Sequence, residues 1–176
     1  MPAYIALLRA VNVGGTGKLP MTELKSMCER AGFTDVRTYI ASGNVFFISS
    51  KTAPQVKAAL EKAMLAYAGK PVAVLVRSAQ EMAAVLANNP FPDAAPNRTV
   101  AIFLDQAPAP DTLNKVSGQR NEELALGTRE IYVHYGDGMA DSKLKIPDAV
   151  SGTARNMNNV AKLAAMASPD GGKIAG

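Results

Sequence analysis

Twelve residues, RAVNVGGTGKLP from Arg9 to Pro20, have the composition of a site for a negatively charged group. Gly14 and Gly15 let backbone N–H groups turn toward a ligand, Asn12 adds a side-chain amide, and Arg9 and Lys18 place a positive charge near each end of the loop. The loop feeds a predicted helix, and a helix N-terminus favours anions through its free N–H groups and its dipole. Two phosphate loops are ruled out by residue type. A Walker A loop needs Gly where Asn12 stands and Ser or Thr where Leu19 stands, and the Rossmann Gly-x-Gly-x-x-Gly spacing is absent. A connection that holds no ligand would use the same glycines.

Two further segments carry polar groups that fit this chemistry. Ser42, Gly43 and Asn44 lie between two predicted strands, where they serve turn geometry and also present a hydroxyl and an amide. In SGTARNMNNVAK, Ser151 to Lys162, Ser151 or Thr153 caps a helix expected over 153–167. Its apolar face is Met157, Val160, Leu163, Ala164 and Ala167, and Arg155, Asn158, Asn159 and Lys162 share the other side, with Asn156 on the boundary. An arginine in a helix's first turn opposes the dipole by about 0.3–1 kcal/mol. A bound anion or a buried carboxylate would offset that cost, and a solvated polar face is the alternative. The candidate ligand-binding residues are therefore Arg9, Asn12, Gly14, Gly15, Lys18, Ser42, Gly43, Asn44, Arg155 and Asn156.

Much other chemistry lacks its residues. One histidine and one cysteine cannot build Cys/His metal sites or a Ser-His or Cys-His pair beyond His134 itself, so no metal and no cofactor is expected. His134 falls beside Tyr132 on one strand face, and Cys28 shares a helical stripe with Leu24 and Ala31, so both read as structural. Acid/base catalysis would need a carboxylate such as Glu23 or Asp35 near the loop, which nothing in the sequence provides. Whether the chain is an enzyme stays open at this level.

The elements that must position these groups follow from periodicity. AYIALL, 3–8, is apolar on both faces and suits a central strand. A helix over 20–31 ends at Gly32. VRTYIA and NVFFIS form a hairpin about Ser42-Gly43, an alanine-rich helix covers 53–68, and PVAVLV, 71–76, is a fourth strand. The order is βαββαβ. After a short helix at 78–87 and the proline-rich NPFPDAAPN, it restarts with a strand at 98–104, a helix at 111–117, a hairpin about Gly127-Thr128 and the closing helix. The expected fold is α+β, two tandem ferredoxin-like (split βαβ) halves with antiparallel sheets, over residues 1–90 and 97–168, with a flexible tail at 169–176. In the first half this order puts the glycine loop and the Ser42–Asn44 turn at the same end of the sheet.

Four blocks, YIALLRAVNVGG with LPMTELKSMCERAGFTDVRTYIASGNVFF, VLVRSAQEMAAVLANNPFP, HYGDGMADSKL and TARNMNNVAKL, together resemble the family known as domain of unknown function 1697 over about residues 3–164. The resemblance implies two ferredoxin-like halves and no established activity. The chain departs from the family pattern at Ala10 (usually Gly), Met157 (usually Trp) and Asn159 (usually Thr), and the change at Met157 removes the ring that a stacking role would use.

With 48% hydrophobic and 19% charged residues, and no apolar run of the ~18 residues that a membrane span needs, the chain is expected to be globular and off the membrane. Met1–Leu8 lacks the features of a signal peptide, and the expected location is the cytoplasm. The net charge of +4 is dispersed and favours anionic ligands weakly. The leading expectation is a protein that binds a small phosphate- or carboxylate-bearing ligand at the glycine-rich loop. Nucleic-acid binding, with Tyr4 and Phe46 or Phe47 as stacking rings, and a protein-interaction module are the alternatives. Oligomeric state is not legible.

Overall fold

The computed structural model describes residues 2–9, 20–39, 43–69, 71–136, 142–149 and 152–167. Two compact units divide between Met82 and Ala83, and the chain from Leu163 onward returns to the first. The first unit contains β1 (Ala3–Leu8), α1 (Met21–Arg30), β2 (Thr34–Tyr39), β3 (Asn44–Ile48), α2 (Ala53–Ala68) and β4 (Val74–Ser78), and α3 (Ala79–Ala87) crosses its boundary. The second contains β5 (Thr99–Phe103), β6 (Glu123–Leu126), β7 (Glu130–His134) and β8 (Thr153–Asn156), and α4 (Met157–Met166) begins there. Both sheets are antiparallel, in the orders β2-β3-β1-β4 and β6-β7-β5-β8. The two orders are the same when each half is numbered from its own first strand, so the tandem ferredoxin-like α+β fold holds.

In the first unit α1 and α2 pack on one face of the sheet. Tyr4, Ala6, Leu8, Val45, Phe47, Val74 and Val76 meet Leu24, Met27, Cys28, Val56, Leu60 and Met64 there. The opposite face, with Ile5, Leu7, Phe46 and Leu75, is also buried, as the unbroken apolar run of β1 requires. A capping box at Thr52 and Gln55 starts α2, and Gly69 in the left-handed conformation ends it. In the second unit 3-10 turns stand in place of the two sheet-covering helices. The helix expected over 111–117 is one such turn, Thr112–Lys115, and a second is Pro147–Ala149. They are clasped by Asp148, which accepts from Thr112 Oγ1 at 2.7 Å and lies 2.9 Å from Lys115 Nζ. These two contacts hold the Asp148 carboxyl below its usual range. Leu144, Ile146 and Ala149 cover Val100, Ile102 and Val133 in the helices' stead.

Three local expectations are corrected. The first hairpin pairs Tyr39 with Asn44, a register two residues from a Ser42-Gly43 two-residue turn, because the Asn44 amide donates to Tyr39 O at 2.9 Å and closes a longer connection. The second pairs Leu126 with Ile131, and Gly127 N donates to Glu130 O at 2.7 Å, so its turn centres on Thr128-Arg129. A shift of two residues keeps every side chain on its expected face. The third correction is larger: Thr153–Asn156 is a strand, and the closing helix starts at Met157, where Asn156 Oδ1 caps it by accepting from Asn159 N at 2.9 Å.

Cys28 is fully buried on α1, and burial pushes its thiol up to about 12. Because the unfolded thiol ionises near 9, the native state keeps a proton that the unfolded state loses between those values. Stability from this group is therefore complete below pH ~9 and declines as pH rises toward 12. Urea midpoints measured from pH 8 to 10 should fall more steeply for the parent than for Cys28→Ala. Native protein should also resist alkylation that denatured protein undergoes readily.

Candidate functional site

The end of β1 is held between two neighbouring backbones. Leu7 pairs with Asn44, Leu8 N donates to Gly43 O at 2.9 Å, and Arg9 N donates to Ala73 O at 2.9 Å. Gly43 (φ +83°) thus lies beside the strand end from which the glycine-rich loop departs. The start of β4 is fixed on the other side. Lys57 Nζ donates to Val74 O at 2.8 Å, and Glu61 Oε2 accepts from Val74 N at 3.2 Å. The last residues of β1 therefore lie beside Gly43 and Ala73 at one end of the sheet.

Of the expected site residues in this unit, Arg9, Gly43 and Asn44 are described. Arg9 is exposed, whereas Gly43 and Asn44 are buried. Asn12, Gly14, Gly15, Lys18 and Ser42 lie outside the described residues. At the far end of the loop Pro20 is the N-cap of α1 and offers no side-chain cap, and its carbonyl receives the Glu23 and Leu24 N–H groups. A helix that begins without a side-chain cap leaves its earliest N–H groups to other acceptors. Glu23 lies in that first turn, and Arg30 Nη2 donates to its carboxylate at 3.1 Å. Asp35 sits at the start of β2, at the opposite end of the sheet, 3.5 Å from Arg37 Nη2.

Arg155 and Asn156 belong to the second unit, and their structural roles differ from those expected. Arg155 lies on a strand, so the helix-dipole cost that called for a compensating anion does not arise. Its guanidinium is buried, and Nη1 donates to Thr153 Oγ1 at 2.8 Å and to Ala154 O at 2.9 Å. Burial lowers its pKa to about 10, which leaves it charged at neutral pH. Asn156 is spent on the cap of α4.

Arg155 has a counterpart that the sequence did not reveal. In the first sheet Ile5 pairs with Phe46 on one side and Arg77 on the other, and in the second Ala101 pairs with Tyr132 and Arg155. Each half thus carries a buried arginine on its fourth strand, in register with an aromatic on its third. Arg77 Nη1 donates to Val76 O at 3.1 Å. Arg37, a partly exposed arginine, lies 4.3 Å above the Phe46 ring and donates to Met166 O at 3.2 Å near the end of α4. An arginine on an apolar strand reads as an edge or surface residue. The equivalence of register could have flagged Arg77 and Arg155, but only once β8 was recognised.

The aromatic residues considered for base stacking are closed off. Tyr4 and Phe47 lie in the helix-covered core, with Phe47 stacked on Phe33 at 4.3 Å, and Phe46 is 3% exposed. His134, on the same face of β7 as Tyr132, lies 3.7 Å from Glu123 Oε1 and 6.1 Å from the Phe91 ring. Tyr132 donates its hydroxyl to Val85 O at 2.8 Å. Among the described residues no cluster of three or more His, Cys, Asp or Glu side chains could hold a metal ion, and no helix is long and apolar enough to cross a membrane.

A family model described as a protein of unknown function, DUF1697, matches residues 1–132. The chain belongs to the DUF1697 family. The match takes in the glycine-rich loop and the hairpin and stops within β7. Among solved structures the chain is similar to the conserved bacterial protein SP0830 from Streptococcus pneumoniae. The two are 25% identical, the TM-score is 0.80, and the alignment covers 95% of this chain and 99% of the other. No curated protein matches the sequence.

Proposed function

We propose that this DUF1697 protein binds a small ligand bearing a phosphate or carboxylate at the loop end of the first unit, and that it does so in the cytoplasm. Three observations support the reading, and they concern the two ends of the glycine-rich segment. Arg9 is exposed, its strand end is clamped between Gly43 and Ala73, and the segment that follows leads into a helix with no side-chain cap. An exposed guanidinium and a helix start without a side-chain cap both favour negative charge. Glu23 is the one carboxylate in the first turn of α1, and its pairing with Arg30 reduces its repulsion toward an anion. Lys18, Asn12, Gly14, Gly15 and Ser42 join the site by sequence. A lone buried cysteine suits a reducing compartment.

The reading assigns binding and no reaction: Glu23 is engaged by Arg30, and Asp35 lies at the other end of the sheet beside Arg37. Calorimetric titration with nucleotides and sugar phosphates tests it. The Arg9→Ala/Lys18→Ala double variant should lose at least about tenfold in affinity for any ligand found, because hydrogen bonds to charged groups contribute ~1.5–3 kcal/mol each. Its thermal melt should match the parent's. Equal binding by both proteins would remove the site from this loop, and an unfolded variant would make the two cations structural.

A further inference from the structure

We propose that the first unit also carries a groove between α1 and α2 that takes a free medium-chain carboxylate, an aliphatic chain of roughly eight to ten carbons with an anionic head. The groove encloses about 630 Å³, within the range of small-molecule sites. Its lining includes none of Arg9, Gly43 and Asn44, so it is distinct from the site proposed above.

The floor sets the chemistry of the body. Met27, 3% exposed, comes from α1 and Ala31 from its C-cap, while Ala59 and Ala63 lie on α2 and the exposed Ala66 continues their stripe up the wall. None of these side chains has a hydrogen-bonding group, so a sugar or a peptide would lose water from hydroxyls or amides without replacement. An alkyl chain loses nothing of that kind. From Ala59 to Ala66 the helix rises about 10 Å, which fixes the chain length given above.

The rim sets the head group. Lys51, Lys62 and Arg30 line the groove together with Tyr67, and no carboxylate is among the lining residues. Arg30 is shared with Glu23, and the two lysines have no ion pair among the described residues. Exposed cations are screened by water, so each should contribute a few-fold in affinity. Each methylene buried contributes up to roughly fourfold, so the chain outweighs the head. A concave trough of this size also favours a free monomer over a bilayer surface.

Calorimetry with sodium butyrate, octanoate and decanoate below their micelle-forming concentrations, and with decanol, reads the proposal. Affinity should rise steeply from butyrate to decanoate, and decanol should bind several-fold more weakly than decanoate. Lys51→Ala/Lys62→Ala should lose about tenfold. Ala63→Phe should abolish binding by filling the floor. Ala66→Phe, at an exposed position on the groove wall, should do the same if Ala63→Phe fails to fold. The Arg9→Ala/Lys18→Ala variant should bind decanoate like the parent, which separates this site from the loop. Decanoate binding that survives both phenylalanine variants, or that does not increase with chain length, overturns the proposal. So does a groove that instead takes an acidic amphipathic peptide, phosphatidylglycerol vesicles or a second copy of the chain.

Discussion

Replacing Phe47 with alanine is expected to destabilise the first unit by about 3–5 kcal/mol, a large share of the ~5–15 kcal/mol that holds a typical domain together. Phe47 is fully buried on β3, stacked on Phe33 at 4.3 Å with the rings 13° apart, and 6.0 Å from the tilted Tyr4 ring. Phe33 follows the glycine that ends α1, and its N–H donates to Cys28 O at 3.0 Å. The stack therefore joins the sheet to the end of the helix. Removing the ring strips Phe33 and Tyr4 of contacts and leaves a cavity that rigid neighbours fill poorly. Phe47→Leu should recover more than half of the loss, because most of the apolar volume returns. Urea unfolding followed by circular dichroism measures both. A loss under 1 kcal/mol for the alanine variant would mean that the rings repack and that the stack does not anchor the helix.

The architecture was legible because hydrophobic period and turn residues agreed along the first half. The run AYIALL is buried on both faces, and Gly32 and Gly69 close α1 and α2 with positive φ. The second half was harder for a physical reason. TARN is four residues long, carries an arginine and leads without a break into MNNVAKLAAM, whose strong helical period absorbed it. What places the strand is not in its own side chains: a Cβ on Gly152 would meet Phe103 O at 2.6 Å, so the backbone before β8 lies flush against β5. The approach of Gly43 to the end of β1 was legible, since βαββ order puts that strand end and the β2–β3 connection on the same side of the sheet. The burial of Arg77 and Arg155 was not, because burial of a cation depends on strand pairings that are distant in sequence. The groove between α1 and α2 was hidden likewise, its alanines reading as helix formers and its lysines as solubilising charge.

Gly118→Ala should cost the second unit about 2–4 kcal/mol from two separable causes. Gly118 has φ +71°, and a Cβ there would collide with Lys143 O and meet Lys143 C at 2.8 Å, so the opposing backbone must move. That backbone is tied to Ser117 by two hydrogen bonds, Ser117 N to Lys145 O at 3.0 Å and Lys145 N to Ser117 O at 2.8 Å. It also carries Leu144 and Ile146 against Val100 and Ile102, where no α-helix covers the sheet among the described residues. Displacing it should uncover that core. Gly32→Ala isolates the backbone contribution, since Gly32 has φ +90° with nothing within 4 Å of its added Cβ. It should lose only the ~1–2 kcal/mol of a left-handed L-residue. Thermal melts of the two variants, with binding of a hydrophobic dye to the native protein, distinguish the causes. Gly118→Ala should melt lower and bind more dye, while Gly32→Ala should bind none beyond the parent. Equal losses from the two would show that residues 143–146 yield freely and that their packing adds little to the second unit.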